Sequence, residues 1–183
     1  MYKSPSSALT ACQIWLAKRN LDAVIINAKQ NKFGHTGLLS ASGHLFITRT
    51  SQHILVDSRY YHELSAKADS YQLHMTDTQL PASAIINQII AQEKLACVGF
   101  EAEHLSYSQS LSLIEKINAE MSPICLDELR QIKTPSEIDT IKSACLIADC
   151  ACAHIRQYIR PGMTEHQIAN ELEWFMENEG AEK

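Results

Sequence analysis

The segment "HLFITRTSQHILVDSRYYHELSAKA" (44–68) sets the fold class of this 183-residue chain. Two apolar runs, 44–49 and 53–57, are separated by the short polar linker "TSQ", a pattern that predicts two strands joined as a hairpin. Residues 58–68 then have helical spacing, with Tyr61, Leu64 and Ala68 on one face. A strand pair that leads directly into a helix indicates a layer of sheet covered by helices.

Strands and helices alternate on both sides of this segment. Further strands are predicted at 22–27, 71–75, 96–102 and 123–128, and helices at 6–20, 81–94 and 106–120. The polar stretch 28–43 contains three glycines and is predicted to be mostly loop, with room for one helical turn. The alternation predicts an α/β domain with a partly parallel sheet, complete within residues 1–128.

The chain becomes helical almost throughout after residue 128. Capping boxes predict two helix starts, one at Thr134 with Glu137 and one at Thr164 with Gln167, and Gly180 ends the second helix. The first helix carries apolar residues at alternating steps of three and four: Ile138, Ile141, Cys145, Ala148, Cys152, Ile155 and Ile159. Two amphipathic helices cannot bury such faces alone. We therefore expect 129–183 to open a second, incomplete domain whose exposed stripe makes the chain self-associate or bind a hydrophobic dye.

Composition excludes several functional classes. The net charge of −5 and the absence of a Lys/Arg cluster argue against a nucleic-acid partner. The apolar runs are too short to cross a membrane, and the N-terminus lacks a signal-peptide pattern, so a cytoplasmic location is expected. Six cysteines form no C-x-x-C pair, which predicts reduced and mostly buried thiols.

The residues alone predict no self-sufficient active site. "HELSA" (62–66) lacks the second histidine of a zincin motif, and no G-x-S-x-G or P-loop pattern occurs. We predict no metal site and no catalytic residue within this sequence. The junction "VDSRYYHE" is the exception of interest, because Asp57 can cap the following helix and Arg59 would project where ligands approach α/β sheets.

Two groups of motifs carry a resemblance to a known family. The segment from Leu129 to Lys183 resembles the start of the catalytic domain in the creatinase/prolidase/aminopeptidase P family. That family's pattern there runs L-R-x-I-K-[ST]-x-x-E-I, then [IL]-x-P-G-x-[TS]-E, then G-A. The matching positions are Leu129, Arg130, Ile132, Lys133, Glu137, Ile138, Pro161, Gly162, Thr164, Glu165, Gly180 and Ala181. Upstream, "HTGLLSASGHLFIT" and "ILVDSRYYHELSAKA" are similar to the family's N-terminal domain, although "TGLLSASG" departs from its commoner aromatic-glycine form.

The resemblance implies a fold and an activity. Residues 1–128 would form a ribonuclease-H-like mixed sheet with flanking helices, and 129–183 the first two helices of a pita-bread domain. The parent enzyme would cleave Xaa-Pro peptides with two divalent metals, Mn, Co or Zn, held by two Asp, one His and two Glu. All five ligands would lie downstream of Lys183, so 1–183 alone is expected to be inactive.

The resemblance also implies roles for the N-terminal domain. It would form homo-oligomers and limit access to a neighbouring subunit's active site, and Arg59, Tyr60 and, more weakly, His35 would contact the proline-containing peptide. Two alternatives stay open. One is a non-catalytic binding module of the pita-bread superfamily, and the other is a creatinase-like amidinohydrolase that acts on a small guanidino compound.

Overall fold

The structure, a computed structural model, describes residues 5–36, 43–65 and 71–182. The strands among these residues are β1 (Ala23–Ile26), β2 (His44–Thr48), β3 (Gln52–Val56), β4 (Gln72–Met75), β5 (Cys97–Glu101) and β6 (Glu120–Ile124). The helices are α1 (Pro5–Lys18), α2 (Lys29–Thr36), α3 (Ser58–Ser65), α4 (Ala82–Glu93), α5 (Tyr107–Lys116), α6 (Glu128–Gln131), α7 (Pro135–Tyr158) and α8 (Glu165–Asn178). A short 3₁₀ turn, Ala102–His104, links β5 to α5.

The six strands form one mixed sheet in the order β4-β3-β2-β1-β5-β6. β2 is antiparallel to both of its neighbours, and the remaining pairs are parallel. β1 is buried along its whole length, as its apolar sequence AVII indicates for a central strand. Ile25 lies opposite Phe46 of β2 and Phe100 of β5. This arrangement confirms the predicted hairpin and the mixed α/β fold class.

Helices cover both faces of the sheet because each face is apolar. On one face, Trp15 and Leu16 of α1 and Leu64 of α3 pack against alternate strand residues such as Val24 and Val56. On the other face, four isoleucines of α4 pack against the strand residues that alternate with the first set. These isoleucines are Ile85, Ile86, Ile89 and Ile90. The period-two pattern of the strands thus gives each face its own core.

The chain divides into two compact units, Lys3–Ile132 and one that contains Lys133–Lys183. Within the second unit, α7 and α8 pack together. Nε2 of His154 lies 2.7 Å from Oε1 of Glu171, and the ring of His154 stacks on Phe175 with centroids 4.3 Å apart. Both predicted capping boxes are present, since the Thr134 and Thr164 side chains accept from the backbone N–H groups of Glu137 and Gln167.

Two predicted segments have different structures. Residues 28–43 were expected to be mostly loop, but Lys29–Thr36 is helical, and residues 37–42 lie outside the described part of the chain. The prediction was wrong because α2 buries polar side chains in place of an apolar stripe. Asn31, Lys32 and His35 are all at most 7% exposed.

The helix predicted at 106–120 ends earlier, and the last strand begins earlier, than expected. Ile117 is extended and buried, so α5 ends at Lys116 and β6 occupies 120–124 instead of 123–128. The N–H of Glu120 donates to the carbonyl of Ala96 at 2.9 Å and begins the pairing with β5. Pro123 fits within β6 because this strand lies at the edge of the sheet, where a missing N–H is tolerated.

The cysteines are free, as predicted, but the prediction that most are buried was wrong. Cys12 is buried and Cys97 partly so, whereas the remaining four are exposed: Cys125, Cys145, Cys150 and Cys152. Three of these lie on α7, whose apolar stripe is itself largely open: Ile138, Ile141 and Ile159 are 42–49% exposed, and only Ile155 is buried. No helix among the described residues has the length and apolarity needed to cross a membrane.

Candidate functional site

The carboxyl ends of five strands meet at one edge of the sheet. β2 alone runs the other way, so this edge also receives its first residues, Gly43 and His44. Ligands of open α/β sheets bind at this edge because the loops that leave the strands converge there. Gly43 has a φ of +87°, and a Cβ at this position would lie 2.2 Å from the carbonyl oxygen of Leu55. A side chain therefore cannot be placed at Gly43 without moving β3.

Asp57, Arg59 and Tyr60 form one connected group where β3 passes into α3. Oδ1 of Asp57 accepts from the Arg59 backbone N–H at 3.0 Å, so Asp57 caps α3 as the sequence predicts. The guanidinium of Arg59 makes a two-pronged contact with the same carboxylate, at 3.1 Å from Nε and 2.7 Å from Nη2. Its Cζ lies 5.5 Å from the centroid of the Tyr60 ring.

The ion pair between Asp57 and Arg59 favours the charged form of both side chains. The side-chain hydrogen bond from Arg59 lowers the pKa of the Asp57 carboxyl, and the bond to Asp57 raises the pKa of the Arg59 guanidinium. Both groups are therefore ionised at neutral pH. The Arg59 side chain is 74% exposed, while Tyr60 packs partly against the core. A guanidinium that is oriented but still exposed can bind a carboxylate or carbonyl oxygen of an incoming molecule.

His35, the third predicted contact residue, lies in a different environment. It belongs to the last turn of α2 and is 7% exposed, so the surrounding protein covers its imidazole. Arg59 and Tyr60 are brought together at the surface, whereas His35 is part of the packed interior of the first unit.

A buried carboxylate, which the sequence analysis did not find, organises the carboxyl edge. Glu101 ends β5 and is 1% exposed. Its Oε2 accepts from the backbone N–H groups of Asn27 and Ala28 at 2.6 and 2.8 Å, and its Oε1 accepts from Nδ2 of Asn31. Nη1 of Arg130 in turn donates to Oδ1 of Asn31 at 3.0 Å. Glu101 thereby joins the end of β1 and the start of α2 to the end of β5.

Lys32 and His44 lie beside this network, and Lys32 is buried whereas His44 is partly buried. Nζ of Lys32 donates to the Gly43 carbonyl at 2.8 Å, and Nδ1 of His44 lies 2.5 Å from Oδ1 of Asn27. Burial lowers the pKa of Lys32, although the charge of Glu101 opposes that change. Burial and the nearby charge of Lys32 lower the pKa of His44. His44 is therefore neutral at pH 7, and its Nδ1–H is the donor to Asn27.

A second polar network lies at the opposite edge, around the β2–β3 turn. The hydroxyl of Ser51 donates to Oε1 of Glu93 at 2.8 Å, so Nε2 of His53, 2.7 Å away, must donate to Ser51. Nδ1 of His53 then accepts from Nε2 of His74 at 3.0 Å. His53 is 3% exposed. The pairing of β3 with β4 brings His53 and His74 together although they are distant in sequence.

The described residues do not fit a dinuclear metal centre. They contain one group of three potential ligands within 4.8 Å of one another, Glu103, Cys125 and Asp127. The Asp127 backbone lowers the pKa of the Cys125 thiol, but desolvation and the carboxylates of Glu103 and Asp127 outweigh it and raise that pKa. This group offers three ligands and no histidine, which is too few for two metals. No set of two Asp, one His and two Glu is assembled in the described ranges.

Comparison with known protein families shows which family the chain belongs to. The family described as Creatinase/Prolidase N-terminal domain matches residues 9–132, more than half of the chain. The chain belongs to this family. A second description, Metallopeptidase family M24, matches residues 139–183, which follow the creatinase/prolidase N-terminal domain directly. The recognition made from the capping boxes and the "VDSRYY" motif is confirmed.

Individual relatives agree with this membership. The peptidase YqhT of Bacillus subtilis is 27% identical over 165 residues, which are 88% of this chain and 46% of YqhT. An Xaa-Pro dipeptidase of Pyrococcus furiosus is 40% identical over 82 residues, 43% of this chain and 24% of that protein. The solved Xaa-Pro dipeptidase from Bacillus anthracis superposes with a TM-score of 0.88 at 27% identity, covering 97% of this chain and 50% of that one. The chain thus spans about half the length of the relatives it matches most fully.

Proposed function

We propose that this chain is the N-terminal portion of a metal-dependent Xaa-Pro peptidase, of the aminopeptidase P or Xaa-Pro dipeptidase type. One observation carries the proposal. The two family matches follow each other along the chain, at 9–132 and 139–183, and related Xaa-Pro dipeptidases continue well beyond the matched region. We propose that the metal ligands lie outside residues 1–183 and that this chain alone is inactive.

This division follows from the family resemblance, which implies that the metal ligands lie after residue 183. Two divalent metals, Mn, Co or Zn, would be held by carboxylates and a histidine that follow Lys183, where they would activate water and polarise the scissile carbonyl. The Glu103–Cys125–Asp127 group has neither the composition nor the burial for that chemistry. We derive no catalytic step from residues of this chain.

The role proposed for the creatinase/prolidase N-terminal domain is oligomerisation and control of substrate access. Arg59 is suited to a substrate contact because its guanidinium is exposed yet held by Asp57 in one orientation. Tyr60 adds an aromatic surface beside it. His35 would take part only after a rearrangement that uncovers its ring. The cytoplasmic location expected from the sequence and the homo-oligomer that the resemblance implies, as a dimer or a larger assembly, stay predictions.

Peptide hydrolysis by the product of the complete coding sequence tests the proposal. With Mn²⁺ or Co²⁺ bound, it should cleave an Xaa-Pro dipeptide or release the first residue of a longer Xaa-Pro peptide, while residues 1–183 alone should not. If both Xaa-Pro substrates stay intact, the proposal fails. Creatine turnover in the same assay would establish the amidinohydrolase alternative, and no turnover of either substrate would favour a binding module.

The substrate role of Arg59 has a matched control. Replacing it, Arg59→Met, should raise KM for the Xaa-Pro peptide by about tenfold, because a charged hydrogen bond to substrate is lost. Arg49→Met removes a similar ion pair, to Asp22, at the opposite edge of the sheet and should leave KM unchanged. Both variants should keep the thermal midpoint within about 2 °C, since exposed ion pairs contribute little stability. Equal KM values for the two variants would remove Arg59 from the substrate site.

A further inference from the structure

A cleft of about 630 Å³ opens at the carboxyl edge, between α4, α5 and the residues that end β1 and begin β2. We call it the α4–α5 cleft. Its volume lies within the range of small-molecule binding sites. Its lining includes residues that follow β1 and β5, the two strands between which the strand order reverses, and loops that diverge at such a point leave room for a ligand.

The cationic side chains of the cleft are Lys32 and Lys116, and His44 and His104 also line it. Among the residues that the structure describes, no Asp or Glu side chain lines the cleft. This composition differs from that of the whole chain, which has a net charge of −5. The carboxylate of Glu101, which interacts with Lys32, is buried and takes its hydrogen bonds from Asn27, Ala28 and Asn31. The cleft therefore favours an anion.

The ammonium group of Lys32 is held in place by the surrounding fold. It is 6% exposed, and its Nζ is fixed by the carbonyl of Gly43 at 2.8 Å. Burying an ammonium group costs free energy, which an opposite charge nearby offsets. Glu101 supplies part of that compensation from below.

Backbone groups at the start of α4 add hydrogen-bond donors to the same lining. Pro81 precedes the helix and offers no side-chain cap, so no described residue accepts from the amides of Ala82 and Ser83. α5, α7 and α8 all have capping boxes instead. The hydroxyls of Ser83, Ser108 and Ser112 also line the cleft and can donate to an oxyanion.

The remaining lining is apolar and selects among anions. Leu105 and Leu113, both partly exposed, form this part, and the buried Ile86 lies behind them. A bare inorganic anion would leave Leu105 and Leu113 in contact with water. A carboxylate with an apolar body would cover them while its charge faces Lys32 and Lys116.

We propose that the α4–α5 cleft binds a small carboxylic acid with an apolar body of roughly dipeptide size. The site is built entirely from residues 27–116 and does not depend on the peptidase activity proposed above. Its ligand is recognised by one carboxylate and one apolar group. An acylated amino acid has both features.

A titration of the ¹⁵N-labelled 183-residue chain, followed by NMR, tests this proposal. N-acetyl-L-leucine should cause saturable shifts of the amide resonances of Gly43, Ala82 and Ser83. The uncharged N-acetyl-L-leucinamide and inorganic phosphate should each bind at least about tenfold more weakly, because each lacks one of the two recognised features. The absence of saturable shifts with the acid, or equal binding of the acid and its amide, would overturn the proposal.

Variants separate specific binding from general attraction to basic residues. Lys116→Gln combined with His104→Gln changes only exposed positions of the lining and should weaken N-acetyl-L-leucine binding by about threefold or more. Lys142→Gln on α7 removes an exposed lysine elsewhere and should have no effect. Unchanged binding in the double variant, or the same loss in Lys142→Gln, would show that the cleft does not recognise the carboxylate. Both substitutions are at exposed positions and leave the buried Lys32 in place, so the amide spectrum of the double variant should be unchanged away from the cleft, which shows that it is folded.

Discussion

Glu101 is the single residue with the most connections at the carboxyl edge. It holds two backbone amides and one side-chain amide although only 1% of it is exposed. A buried carboxylate is tolerated when its oxygens are fully hydrogen-bonded, and breaking such a set leaves donors unsatisfied. The position of Gly43, Lys32 and Asn27 around the α4–α5 cleft therefore depends on Glu101.

Replacing this carboxylate should destabilise the first unit. In Glu101→Gln, an NH₂ group must face one of three N–H donors, and we expect the free energy of unfolding to fall by about 3 kcal/mol. Urea denaturation measures the change. Glu103→Gln, two residues further on and exposed, is the matched control and should change the free energy by less than about 0.5 kcal/mol. Similar values for the two variants would contradict the role given to Glu101.

The His53–His74 pair predicts how stability depends on pH. Burial lowers the pKa of both side chains below 6.5, and for His53 the neighbouring His74 adds to this effect despite the attraction of Glu93. The unfolded chain therefore binds more protons than the folded one just below pH 6.5. Stability is complete above that pH and is lost as the pH falls through the folded-state pKa values.

Denaturation midpoints measured between about pH 7.5 and pH 5.5 check this dependence, since carboxylates change little in that window. The midpoint should fall on acidification, and the fall should be smaller in His53→Gln, which removes one of the contributing groups. His62→Gln, an exposed histidine on α3, should retain the full dependence. A midpoint that is constant, or that rises towards pH 5.5, would show that the buried histidines are not held neutral.

At the scale of secondary-structure elements, local patterns and long-range contacts explain different parts of the fold. The starts of α7 and α8 were predictable because each capping box is complete within four residues. The β2–β3 hairpin was predictable from two apolar runs and a short linker. α2 was missed because its buried side chains are polar, and β6 was placed too late because its pairing with β5 is a contact between distant segments.

In the candidate site too, local contacts could be predicted from the sequence and long-range contacts could not. Asp57 and Arg59 were identified because both the cap and the ion pair are local. Glu101 could not be identified, since its partners lie 70 to 74 positions earlier in the chain. Ser51, His53, His74 and Glu93 likewise meet only after β3 and β4 have paired.

The capping box of α7 gives a prediction at this scale. Thr134→Ala should cost about 1 kcal/mol of helix stability, because one first-turn amide loses its acceptor. Native-state hydrogen exchange should report faster exchange of the Glu137 amide, which donates to Oγ1 of Thr134 at 3.2 Å. Thr140→Ala, whose hydroxyl binds a carbonyl within the helix, is the control. No acceleration at Glu137, or the same acceleration in Thr140→Ala, would rule out a specific capping effect.

At the scale of the whole molecule, the second unit has apolar surface that it does not cover. Ile138, Ile141, Leu146 and Trp174 are between 42% and 64% exposed. Contiguous exposed apolar surface of this kind promotes association or ligand binding. In the proposed peptidase, the rest of the pita-bread domain would pack against such a helix.

The 183-residue chain should therefore bind a hydrophobic dye or self-associate. Fluorescence of anilinonaphthalene sulfonate and light scattering measure these two properties. The double variant Ile138→Ser with Ile141→Ser should reduce the dye signal clearly. Leu111→Ser with Ile114→Ser, an exposed apolar pair of the same spacing on α5, should reduce it much less. A monodisperse monomer that binds no dye would contradict the view that α7 lacks a packing partner.

The central claim is that residues 1–183 belong to a dinuclear Xaa-Pro peptidase whose metal ligands lie outside them. The sequence of the coding DNA beyond Lys183 tests it most directly. We predict an open reading frame of comparable length that encodes two Asp, one His and two Glu in the order of the family's ligand set. A frame that stops early, or one that continues without these five ligands, would contradict the claim and leave binding or oligomerisation as the function of this chain.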